Sequence, residues 1–111
     1  MSNGIFSVNF RSNRPDNGGG LVVIKNGSAN GGDPNYLYQG AVPTVSGAFT
    51  GQFRVSMWRE GNTNVTGLDN YTLNAAGNID YENGKISLSG TVEGAPHIEI
   101  TLQGSKIAPA V

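Results

Sequence analysis

From Phe49 to Trp58 the chain alternates without a break. Phe49, Gly51, Phe53, Val55 and Met57 fall on one side, Thr50, Gln52, Arg54, Ser56 and Trp58 on the other. Successive side chains of a strand point to opposite faces, so this run predicts a strand with one buried and one wet face. The same period recurs along the chain. Phe6, Val8 and Phe10 alternate with Ser7, Asn9 and Arg11. Ile86, Leu88, Gly90 and Val92 oppose Ser87, Ser89, Thr91 and Glu93, and Ile98, Ile100 and Leu102 oppose His97, Glu99, Thr101 and Gln103. Shorter strands are predicted at Leu21–Lys25, at Tyr36–Ala41 with Tyr36 and Tyr38 sharing a face, around Tyr71 and Leu73, and at Ile79–Tyr81. Asn26-Gly27 and Asn83-Gly84 supply the positive φ values of tight hairpin turns. Glu93-Gly94-Ala95-Pro96 reads as a further turn, and only Asn62–Asp69 leaves room for about one turn of helix.

About eight short strands with local turns predict an all-β antiparallel meander. Closure into a small barrel removes exposed edges, and a two-sheet sandwich is the alternative. At 111 residues the chain is expected to form one domain over 1–111. The 17 glycines and 13 asparagines read mostly as turn chemistry, since helical glycine is costly and no G-x-y period is present. With 37% apolar residues and a net charge of −1, the composition is not that of a disordered chain.

Seven basic and eight acidic residues, scattered along the sequence, form no stripe that would track phosphates, so direct nucleic-acid binding is not expected. There is no cysteine, and one histidine cannot build a multi-histidine metal site. No cofactor is expected. The opening Met1-Ser2-Asn3-Gly4-Ile5-Phe6 lacks a basic region followed by an apolar run, and the longest apolar run, Leu21–Ile24, is far short of a membrane span. A cytoplasmic protein without membrane contact is the expectation.

Several motifs invite chemistry that their surroundings do not support. Gly18-Gly19-Gly20 is followed by Leu21-Val22-Val23-Ile24, a strand and not the helix of a phosphate loop, so a hairpin connection is expected. Asn78, Asp80 and Glu82 alternate like calcium ligands, but the sixth and twelfth positions hold Asn83 and Ser89 where glycine and glutamate are required. Glycosylation triplets at Asn26, Asn64 and Asn70 reflect a chain rich in Asn and Thr. His97 falls on the solvent side of its strand, and Asp33 could form a carboxylate pair with Asp69 or Asp80 only if the fold joined them. The chain is therefore read as not an enzyme. Phe6, Phe10, Phe49 and Phe53 are core by default. Small barrels are usually filled by their own side chains, but some hold one small apolar ligand, and Gly51 and Gly90 could leave space for it.

An ordered series of motifs goes further: Gly4-Ile5-Phe6-Ser7, Phe10, Ser12-Asn13, Ile24-Lys25-Asn26-Gly27, Gly31-Gly32-Asp33 and Tyr38-Gln39-Gly40. This series resembles the GrlR family of negative regulators of type III secretion, densely over residues 4–40 and more loosely over 68–107. The resemblance implies a small calycin-like barrel, a homodimer, and a regulator that binds and restrains a transcriptional activator. In that frame Asn26, Gly27, Gly31, Gly32, Asp33, Tyr38, Gln39 and Gly40 are scaffold, with Gly31-Gly32-Asp33 making a chain reversal. The family's regulator carries an acidic cluster after its Tyr-Gln-Gly segment. Here no charge lies between Asp33 and Arg54, so that cluster does not carry over.

Overall fold

The computed structural model describes residues 3–12, 17–34, 36–58 and 70–111. Eight strands follow one another: β1 (Gly4–Ser12), β2 (Asn17–Lys25), β3 (Ser28–Gly32), β4 (Tyr36–Ala41), β5 (Gly47–Met57), β6 (Asn70–Asp80), β7 (Lys85–Val92) and β8 (Ala95–Ala108). Each pairs antiparallel with the next, and β8 returns to β1 through pairs such as Val8↔Gly104 and Phe10↔Leu102. That last ladder closes the sheet into a barrel and excludes the sandwich.

Five details differ from the sequence reading. Ser28–Gly32 is a strand that alternation did not reveal, because its residues are small and polar. Gly31 and Gly32 therefore lie inside a ladder, and the reversal begins at Asp33. Gly18-Gly19-Gly20 belongs to β2, paired with Phe10, Asn9 and Val8, and is not a loose connection. The segments around Tyr71–Leu73 and Ile79–Tyr81 merge into the single strand β6, while β8 starts at Ala95, inside the expected turn. The short helical turn allowed at Asn62–Asp69 lies outside the described residues.

The hairpin turns follow their residues closely. Asn26 and Gly27 have φ of 53° and 80°, the signature of a type I′ turn whose twist matches its strands. At the β6–β7 connection Asn83 donates its backbone N–H to Asp80 Oδ1 at 3.1 Å and its side-chain amide to Oδ2 at 2.7 Å. These donors hold the Asp80 carboxyl below its usual range. The calcium-like series is thus a hairpin turn.

Most other glycines serve packing, not turns. Gly40 faces Phe53 across the β4–β5 ladder, Gly77 faces Phe49 and Leu88, and Gly31 faces Tyr38. A Cβ on Gly40 would come within 2.8 Å of the Gln52 carbonyl oxygen and of the Phe53 ring, and closer still at Phe53 Cδ1. Large rings beside hydrogen-only positions let a narrow barrel carry aromatic residues on its inner face.

Two groups of buried side chains hold the wall. Phe6, Val8, Ile24 and Ile79, each no more than 1% exposed, anchor the larger one, and Val92 and Ile100 the smaller. Phe10 and Phe53 pack against both. Burial of each such side chain contributes about 1.5–3 kcal/mol. Many outer positions are polar: Asn9 and Arg11 on β1, Thr50, Gln52 and Arg54 on β5, Glu99, Thr101 and Gln103 on β8 are exposed, while Leu21, Val23 and Leu37 form an apolar exception. A membrane-spanning barrel has the opposite arrangement, with apolar side chains outward. Among the described residues no helix is long and apolar enough to cross a membrane.

Candidate functional site: an apolar chamber

The barrel is not filled by its own side chains. Its axis holds a cavity of about 250 Å³, surrounded chiefly by apolar residues from all the strands. Phe10, Phe49 and Phe53 stand around it. Phe6 does not. It is wholly covered by its neighbours, with 0% exposure, so it presents no face to the cavity. Gly51 and Gly90 do not open the space either, because neither borders it. The space arises where Val22, Ile24, Leu88 and Leu102 meet around the axis without reaching across it.

The two ends of the chamber differ. At the end where β4 passes into β5, Tyr81 is buried and its O–H donates to the Pro43 carbonyl. Its backbone N–H donates to Ser46 Oγ at 2.9 Å, and Val42 N–H donates to the Gly27 carbonyl at 3.0 Å. These bonds strap the β4–β5 loop to the adjoining hairpins.

The other end carries the polar groups. Asp33 and Pro34 border the cavity there, with Tyr36 and Tyr38 leading inward. Asp33 Oδ1 accepts the Tyr36 N–H at 2.8 Å, and Oδ2 accepts the Tyr38 O–H. The Tyr38 ring meets Phe10 edge to face, 5.0 Å between centroids. Burial, the bond to Asp33 and the nearby carboxylate charge push the Tyr38 phenol well above its ordinary range, so it stays a donor to Asp33. Trp58, half exposed, donates its indole N–H to the Asp33 carbonyl at 3.1 Å and stands at this mouth.

The scaffold motifs therefore meet in space. Gly31-Gly32 and Tyr38-Gln39-Gly40 lie in neighbouring strands, with Gly31↔Tyr38, Asn30↔Gln39 and Ala29↔Gly40 as partners. Gln39 reaches outward to Asn30 Oδ1 at 3.3 Å, and Gly40 lies under Phe53. Asp33 and Tyr38 are more than scaffold, since both border the chamber. The signal in the sequence was the shared face of Tyr36 and Tyr38, but nothing local linked it to Asp33.

The remaining candidates stay apart. His97 is exposed on the outer face of β8 beside Glu99 and Thr101. Asp80 ends β6 at the strapped end, away from Asp33 at the mouth, and Asp69 lies outside the described residues. Among the described residues no three metal-ligating side chains converge.

The model of the GrlR family, described as a negative regulator of the type III secretion system, matches residues 1–108. The chain belongs to the GrlR family. The match takes in the middle of the chain as well as its motif-rich start. No curated protein matches the chain in sequence.

Proposed function

We propose that this GrlR-family barrel is a non-enzymatic negative regulator of type III secretion that works in the cytoplasm by binding a transcriptional regulator. The observation that carries this reading is the family match over residues 1–108. The uncharged stretch from Pro34 to Phe53 implies a contact that rests on shape and neutral hydrogen bonds, with little dependence on salt. The test is a transcriptional reporter for secretion genes in a bacterium carrying such a system. Expression of the chain lowers reporter output, and unchanged output at verified expression overturns the reading.

The protein acts as a homodimer. Leu21, Val23 and Leu37 are 50%, 38% and 41% exposed on the outer wall, and Leu21 and Leu37 flank Gly32 in one row across β2, β3 and β4. Apolar side chains grouped on an otherwise polar wall suit a self-complementary contact. Light scattering finds a dimer that Leu21→Lys with Leu37→Lys converts to monomer. A wild-type chain that remains monomeric at high concentration contradicts this.

A second reading is favoured by the chamber itself: the barrel holds a small apolar ligand. An apolar cavity of ~150 Å³ takes up benzene, so by proportion 250 Å³ accommodates about ten non-hydrogen atoms. Titration with 1-octanol, followed by Trp58 fluorescence at the mouth, saturates if the chamber is used.

A further inference from the structure

Resting on the ligand reading, we propose that the chamber is a length gauge for unbranched apolar chains. It takes a chain tail first and fills at about ten non-hydrogen atoms, against a floor made by Ile24, Ala29, Ile79 and Ile86.

The floor is built from covered side chains. All four border the chamber, and none is more than 6% exposed. Ile24 pairs with Ala29 beside the β2–β3 hairpin turn, and Ile79 pairs with Ile86 beside the β6–β7 turn. Gly27 and Tyr81, just past Ile24 and Ile79 along the chain, carry the bonds to Val42 and Pro43 that strap this end. Among the described residues bordering the chamber, the exposed ones are Gly19 and Pro34, both at the opposite end. A chain therefore enters at the Asp33 mouth and stops at the floor. Between the two, Val22, Leu88 and Leu102 give its tail dispersion contacts and no polar partner. Selection comes from space. A methylene inside the walls leaves water and a methylene outside them does not. Each one buried tightens binding by about fourfold, so affinity climbs with chain length until the chamber is full and then levels.

Calorimetric titration with 1-hexanol, 1-octanol, 1-decanol and 1-dodecanol tests this. The step from 1-hexanol to 1-octanol tightens binding by roughly tenfold, and the step from 1-decanol to 1-dodecanol by less than about twofold. Ala29→Leu raises the floor by about three carbons, so the 1-hexanol-to-1-octanol step shrinks below about threefold. Ile86→Ala lowers the floor by about as much, and the 1-decanol-to-1-dodecanol step regains most of the roughly tenfold gain. Val92→Ala removes part of a buried side chain that does not border the chamber, and it leaves the levelling point where the wild type has it. Should Ala29→Leu fail to fold, Ile86→Ala and the wild-type series decide the matter. Roughly tenfold steps continuing through 1-dodecanol overturn the gauge while the ligand reading stands. A levelling point unmoved by the floor substitutions does the same. No saturable binding of any alkanol removes both.

Discussion

Gly40 and Gly51 both flank Phe53, and the same substitution at each should act in opposite directions. Gly40 pairs with Phe53 across the ladder, and an alanine there would put its Cβ 2.8 Å from the Gln52 carbonyl oxygen, with the Phe53 ring closer still. Ordinary contact begins near 3.4 Å, so the β4–β5 ladder must open by about 0.6 Å (3.4 − 2.8). Overpacking of this kind costs about 1–3 kcal/mol. Restricting the unfolded chain returns about 0.4–1 kcal/mol, which leaves a net loss of about 1–2 kcal/mol for Gly40→Ala. At Gly51 the nearest atoms to a Cβ are the Ala41 carbonyl oxygen at 3.5 Å and the Phe49 and Phe53 rings at 3.9 Å. That methyl fits, so Gly51→Ala gains about 0.4–1 kcal/mol. For a 111-residue chain each kcal/mol moves Tm by roughly 4 °C. Calorimetry at matched protein concentration should thus show Gly40→Ala lowered by roughly 4–8 °C and Gly51→Ala raised by roughly 2–4 °C. In a Phe53→Leu background the Gly40→Ala cost shrinks by about 1 kcal/mol, because one of its two colliding partners is gone. Equal effects at the two glycines, or a Gly40→Ala cost indifferent to Phe53, would refute the ring-over-glycine packing.

Other outcomes follow from the same geometry. Gly27→Ala, forced to φ near 80°, loses about 1–2 kcal/mol in urea unfolding. Tyr81→Phe removes the hydroxyl that binds Pro43, costs about 1 kcal/mol, and speeds hydrogen exchange of the Val42 amide in the loop that hydroxyl helps strap. The Tyr38 phenol is pushed above the 10.0 of a free tyrosine, so on raising pH the unfolded chain gives up its proton first. Its contribution is whole below pH 10 and declines above it, and pH-dependent unfolding of Tyr38→Phe falls off less steeply in that alkaline range.

Alternation made the long strands legible. β1, β5, β7 and β8 carry side chains large enough to mark which face is inward, and their paired registers keep every marked residue on its expected side. β3 was invisible because Ser28-Ala29-Asn30-Gly31-Gly32 has one buried side chain, Ala29, and two glycines that exist to clear β2 and β4. The surplus of glycine was legible only in part. Asn26-Gly27 and Asn83-Gly84 are turns, while Gly31, Gly40 and Gly77 make room for residues far along the chain, which local sequence does not record. Alternation places Phe10, Phe49 and Phe53 inward, but small barrels are usually filled by their own side chains, so the open chamber was not legible from these positions. Phe6 is also inward but wholly covered, because inward direction alone does not say which inward side chains become covered by others. The pair of Asp33 and Tyr38 depends on how a reversal folds back over its own strand, so its chemistry emerged only with the ladder between β3 and β4 in place.

The most direct test of the account follows the methyl groups by NMR while 1-octanol is added. Ile79, Leu88 and Leu102 border the chamber, whereas Leu21, Val23 and Leu37 stand on the outer wall. Saturable shifts at the first three, with the outer three still, are the predicted result. Shifts at the outer residues with the interior unmoved would contradict a barrel built around a ligand chamber.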